Sequence, residues 1–314
     1  VRSRESNALY QLEATLPLEV FVRSEKGETW LAGPMVKAPM VTLTAMEEGA
    51  LSGAFNILNA TKVGFHLIHQ HSETLGPKLT YLWDIDQAVS CGSCYVGDMI
   101  RLGGQIEDPD HYDDHIILHE MGHFFTHRWS IDDSPGGPHR GRAVHPSLAY
   151  GEGIAYFWSA LALDDPLIVD WMFPEPWVVD LERSTFNGDP MTWGLFAPVA
   201  AQSELTHLSA LHHEELVSSL MWSFYQFSQE QDIVSDELTG EELIMSTLLH
   251  QMPARHEAEI DIGAFGVDLA DYLDSLICEI GLGVPSRFDV WLNQAERLAE
   301  ERGYEWQWDT QRES

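Results

Sequence analysis

Strand-type residues crowd positions 18–23 (Leu-Glu-Val-Phe-Val-Arg) and 40–44 (Met-Val-Thr-Leu-Thr), with Glu25-Lys26-Gly27 as a turn after the first. From about residue 47 to 70 the period lengthens. Leu51, Phe55, Leu58, Phe65 and Ile68 follow helical spacing along one face. Two further strands are expected at 79–83 and 98–102, the second closed by Gly103-Gly104. Asp108-Pro109-Asp110 then opens a helix, with acids in the first turn where the helix dipole favours them. That helix, about 112–127, is apolar almost all round (Ile116, Ile117, Leu118, Met121, Phe124, Phe125), and a helix without a polar face is a buried one. A Gly/Pro-rich loop at 132–146 follows, and most of the remainder reads as helix: 149–163, 204–227, 240–250, 267–280 and 286–302. Strands and a first helix before a helical second half predict an α+β fold in two lobes, a mixed one at 1–127 and a helical one at 128–314.

At 314 residues the chain can bury a sizeable core, and 44% hydrophobic and 11% aromatic residues exclude a disordered chain. No apolar run approaches the roughly 20 residues needed to span a bilayer. Fifty acidic residues against 17 basic give a formal net charge of -33, a surface that repels nucleic acid and anionic lipid. Its plain use is a solvated coat, and its sharper use is steering of cationic peptides. The chain opens on Val-Arg-Ser-Arg with no signal-like segment, so any export signal is expected to be already removed. Three cysteines make no disulfide scaffold. Cys91 and Cys94, in a turn-like stretch, form either a small local disulfide or two free thiols, and Cys278 in Leu276-Ile277-Cys278 reads as core.

The chemistry lies in His119-Glu120-Met121-Gly122-His123, an H-E-x-x-H sequence on the buried helix. Residues four apart share a face about 6 Å apart along the axis, so both imidazoles can converge on one ion. Glu120, turned about 100° from His119, stands beside that ion and can take a proton from water and return it to a leaving amine. A chance pentapeptide with two satisfied core histidines is the plain alternative. Burying two histidines and a carboxylate without a compensating charge is costly, however, and a divalent cation supplies that charge. A catalytic zinc takes three protein ligands. Glu152, flanked by Gly151 and Gly153 at the opening of an apolar helix, is the expected third, since the glycines let another element approach closely. The competing role for Glu152 is an acid stabilised by the helix N-terminus. His115, one turn before His119, shares its face, and spacing alone leaves it open as a ligand.

From about residue 108 to 160 the chain resembles the gluzincin metallopeptidases, which pair H-E-x-x-H with a later glutamate in an E-G-x-x-type helix. The interval to Glu152 is longer than in the thermolysin-like members, by the 132–146 loop. Asp133-Ser134-Pro135-Gly136-Gly137 with His139 also resembles a group of bacterial secreted gluzincin-like proteins of unassigned substrate. The resemblance implies a zincin-like fold with the active site between the lobes, zinc on His119, His123 and Glu152, and hydrolysis of a peptide or protein, with an endopeptidase favoured. The alternatives are an aminopeptidase or a non-catalytic zincin-like binding module. The resemblance also implies an oxyanion-stabilising residue, here His212 or His213 in Leu211-His212-His213-Glu214-Glu215, with Tyr225 and Tyr150 behind them. His139 and His145 in the long loop stand as candidate substrate contacts. Tyr156 occupies the place where gluzincins often carry an acid that orients a zinc histidine. The strand at 99–102 matches their substrate-binding edge strand, and Gly103-Gly104-Gln105-Ile106-Glu107 loosely resembles the aminopeptidase G-x-M-E-N element, although it lies too close to the H-E-x-x-H. A secreted or periplasmic location is implied as well.

Overall fold

A computed structural model describes residues 9–15, 19–24, 29–32, 50–74, 76–84, 88–139, 143–191, 210–230, 240–257, 266–283, 285–304, 306 and 308. The described residues form a mixed helix-and-strand fold of the α+β kind. The expected turn at 25–27 and strand at 40–44 lie outside them. Two compact units divide the chain: Val1–Phe124 with Ala162–Asp164 and Val169–Val178, and Phe125–Leu161 with Asp165–Ile168 and Val179–Ser314.

In the first unit a six-stranded sheet runs in the order β3-β2-β1-β4-β6-β5. Its strands are β1 (Leu9–Thr15), β2 (Glu19–Ser24), β3 (Thr29–Ala32), β4 (Leu79–Asp84), β5 (Cys94–Val96) and β6 (Met99–Leu102). All neighbours are antiparallel except β4 and β6, which run parallel. Alternation builds one apolar face: Leu79, Tyr81 and Trp83 of β4 are buried, and Tyr81 and Trp83 pair with the buried Ile100 and Leu102 of β6.

Helix α1 (Ala50–His71) buries Ala54, Ile57, Leu58, Thr61, Phe65 and Ile68, the three-and-four spacing of a single face. The side chain of Leu51 lies outside the description, and Phe55 is half-buried. Gly53 lets α1 come close to the 3-10 turn Asp110–Tyr112, because a Cβ there would sit 2.4 Å from the His111 ring. Asn56 Nδ2 donates to Asp114 Oδ1 over 2.9 Å and ties α1 to the start of α2 (Asp114–Trp129). Along α2, Ile116, Ile117, Leu118, Met121, Phe124 and Phe125 are all buried, each contributing about 2 kcal/mol of transfer free energy. That apolar burial offsets the cost of enclosing His115, His119 and Glu120 in the same helix.

The strand at 99–102 forms as expected but is not an edge. β5 covers it, pairing Val96 with Met99 across Gly97 and Asp98, whose φ angles of 52° and 68° make the two-residue hairpin turn. Cys91 and Cys94 are joined by a disulfide at the start of β5. At three residues β5 is too short for a periodic signal, and only the Gly-Asp pair announces it.

In the second unit α3 (Pro146–Leu163) is buried from Pro146 to Leu161. It is followed by α4 (Glu214–Glu230), α5 (Gly240–Ser246), a π-helical turn (Thr247–Gln251), α6 (Met252–Glu257), α7 (Leu269–Gly283) and α8 (Phe288–Glu301). The helix expected to start at 204 is described from Glu214, after a 3-10 turn at Ala210–His212. Leu216, Val217, Leu220, Met221 and Phe224 form the buried stripe of α4, and Trp291 of α8 stacks on Phe224. Cys278 is half-buried rather than core.

A four-stranded sheet in the order β10-β9-β8-β7 was not expected from the sequence. It comprises β7 (Leu167–Asp170), β8 (Trp177–Asp180), β9 (Thr185–Phe186) and β10 (Asp189–Pro190). Strands of two to four residues interrupted by Pro174 and Pro176 carry no readable period. Among the described residues no helix is long and apolar enough to cross a membrane.

Candidate metal centre

The rings of His119 and His123 stand with centroids 4.9 Å apart and planes at 89°, as residues one helical turn apart can. One donor atom each from His119, His123 and Glu152 lies within 4.8 Å of the others. Tetrahedral ligands at about 2.1 Å from a zinc ion lie roughly 3.4 Å apart, within reach of this cluster by side-chain rotation. His119 and Glu152 are buried, at 5% and 8% exposure, while His123 is half-buried, so the donors are both enclosed and approachable. Two imidazoles and a carboxylate suit zinc, and the residues present fit that ion. His115 is buried but is not part of this group.

Glu120 is 5% exposed. Burial pushes the Tyr81 hydroxyl on β4 above its ordinary range, and the charge of Glu120 adds to the shift, so this carboxylate acts on the interior of the first unit.

Glu152 is the seventh residue of α3, not its opening, because the helix already starts at Pro146. The helix dipole acts mainly on the first turn, so stabilisation by the N-terminus is a poor account of this acid. The flanking glycines serve close approach. A Cβ on Gly151 would lie 2.9 Å from Ser134 Cβ, and one on Gly153 would lie 2.6 Å from Val217 Cβ and 2.8 Å from the Glu214 carbonyl oxygen.

The long loop before α3 is fastened at several points of the second unit. Asp133 accepts the backbone N–H of Val267 at 3.0 Å, and the Val144 N–H donates to the His212 carbonyl at 3.0 Å. The Nδ1 of His212 returns a 2.6 Å bond to the Val144 carbonyl. The Nδ1 of His139 lies 2.9 and 3.1 Å from the two oxygens of Glu214, and its Nε2 lies 3.7 Å from Glu152 Oε1. Sequence reading missed the part played by Glu214. It stands 75 positions from His139 and looks like an ordinary first-turn acid of α4.

The other candidates scatter. His212 is half-buried, whereas His213, at 1% exposure, offers its carbonyl to the first turn of α4. Neither belongs to the metal group. His145 is exposed and bonds Ser147, Tyr150 and Tyr156 are buried, and Tyr225 packs on Trp222. Glu107 is exposed, and its carbonyl accepts the Phe173 N–H.

A second group, Asp108, Asp110 and Asp170, gathers three carboxylates within 4.8 Å of one another in the first unit. Gly103 admits Asp110, since a Cβ there would sit 2.8 Å from its Oδ2, and Ser93 donates a hydrogen bond to that oxygen. Asp113, which accepts the Trp171 N–H at 2.8 Å, borders the group. Burial, reinforced by the neighbouring aspartates, raises Asp110 well above the carboxylate range and Asp113 to about 7.

A carboxyl raised in the folded state binds more protons folded than unfolded. Its stabilisation is complete below the ordinary value of 3.8 and is lost as pH rises to about 7. Asp268 and Asp271, raised to about 6 and 7 by burial, act in the same direction, while His111, lowered by burial, opposes them on the acid side. Denaturant unfolding is therefore expected to give a lower midpoint at about pH 8 than at about pH 5, and Asp113→Asn is expected to flatten that slope. An unchanged slope in the variant would remove Asp113 from the account.

The chain matches no protein-family model and no curated protein.

Proposed function

We propose that the chain is a zinc-dependent peptidase of the gluzincin type, with His119, His123 and Glu152 as ligands and Glu120 as general base. The observation that carries the reading is the approach of these three donors to within 4.8 Å, with the buried Glu120 next to His119 in α2. Zinc, when bound, supplies a Lewis acid that polarises a carbonyl and acidifies water. Glu120 takes the proton from the attacking water and passes it to the amine as the peptide C–N bond breaks, so that one water is added across that bond. His212 or His213 meets the developing oxyanion. His212 is favoured by exposure, being half-buried where His213 is 1% exposed.

A mixed sheet beside an H-E-x-x-H helix, with Tyr95 of β5 packed edge-on against Phe124 of α2, supports a zincin-like arrangement in the first unit. Substrate backbone adds to β5 rather than to β6. The Cys91–Cys94 disulfide supports a secreted or periplasmic location. The retained Glu120 favours an enzyme over a binding module, since ligation alone does not use it.

Elemental analysis of the purified protein is expected to give one zinc per chain. Cleavage of end-blocked peptides is expected to stop on chelation and return with added zinc. Full zinc occupancy without cleavage of any peptide would leave a metal-holding module, and absence of zinc binding would end the reading.

A further inference from the structure

We propose that His139 is a positioning residue, held by Glu214, that fixes the carboxylate of Glu152. The inference rests on the zinc reading above and deepens it. Glu214 is 2% exposed, and both of its oxygens face the Nδ1 of His139, at 2.9 and 3.1 Å. The Nδ1–H donates to this carboxylate, which sets the ring plane and aims the opposite nitrogen. That nitrogen, Nε2, stands 3.7 Å from Oε1 of Glu152. That separation is longer than a hydrogen bond, and a movement of under about 1 Å brings the ring, when both its nitrogens carry protons, into donating contact with the carboxylate.

The backbone makes this contact reproducible. Glu152 and Gly153 are consecutive, and the missing side chain at 153 is what lets the Glu214 carbonyl come against α3, only 2.8 Å from where a Cβ would be. The same short stretch of α3 thus carries the metal-side glutamate and seats the residue that orients its partner. A glutamate has three rotatable bonds. Engaging Glu152 with His139 removes freedom that would otherwise oppose metal binding. In the sequence His139 lies between Asp133 and Val144, which bond Val267 and His212 respectively.

The test is zinc affinity of the full chain, measured by competition with a chromophoric chelator. His139→Ala is expected to weaken zinc binding by about 10–100-fold, and Glu214→Ala by a similar factor. His139→Gln, which keeps a side-chain donor, is expected to restore part of the loss. Asp133→Ala unfastens the same loop at another point and is expected to leave zinc affinity within about 3-fold of the wild type. An equal loss in Asp133→Ala, or no rescue by glutamine, would make His139 a loop anchor only. Unchanged affinity in His139→Ala with slower hydrolysis would assign it to the substrate instead. A wild-type chain that binds no zinc would overturn the underlying reading, an outcome distinct from these.

Discussion

Replacing Glu120 by glutamine is expected to leave one zinc per chain and to lower peptide hydrolysis by about 10²–10⁴-fold, the range that general acid–base catalysis supplies. Glutamine keeps the size and shape of a side chain that is 5% exposed, while turning one acceptor oxygen into an N–H donor. What it removes is the ability to hold a proton between the attack of water and the departure of the amine. It also removes a buried negative charge that Tyr81 senses from β4, so metal-free Glu120→Gln is expected to be at least as stable as the metal-free wild type. Zinc content and initial rate on the same preparation decide the matter. Loss of zinc would recast Glu120 as a ligand or an orienting group, and a rate within about 3-fold of wild type would remove the base.

Glu152→Gln carries the second large effect. The wild type encloses a carboxylate at 8% exposure near two imidazoles, an arrangement that a divalent cation stabilises. The amide is a poor zinc ligand, and affinity is expected to fall by more than the ~10–100-fold typical of an outer partner. Added zinc should then raise the melting temperature of the wild type, because a ligand that binds only the folded state stabilises it by mass action, and leave the variant unmoved. Equal zinc-induced shifts in both proteins would take Glu152 out of the ligand set.

The parts of this chain that were readable before folding are those whose physics is local. The burial of α2 follows from an apolar circumference that its own residues declare. The convergence of His119 and His123 follows from helical pitch. The glycines flanking Glu152 signal close approach, and Ser134 beside Gly151 and Val217 and Glu214 beside Gly153 supply it. The place of Glu152 in the helix was misread, since Pro146 reads as a loop end although it is the first helical residue. Short strands escaped for a different reason: β5 and β7–β10 have two to four residues each, less than a period-two pattern needs to stand out. The pairing of His139 with Glu214 left no trace at all, because a contact spanning 75 residues is set by how α3 and α4 pack and not by any spacing along the chain.

Among the described residues the six-stranded sheet ends on one side in β5, a strand of only three residues. A strand of that size offers an incoming chain about 10 Å of backbone to bond with, which discourages one molecule from templating onto the next. A peptide docked along β5 would likewise gain little from its main chain. Cleaved halves would then detach readily, and discrimination among sequences would fall to whatever the side chains meet.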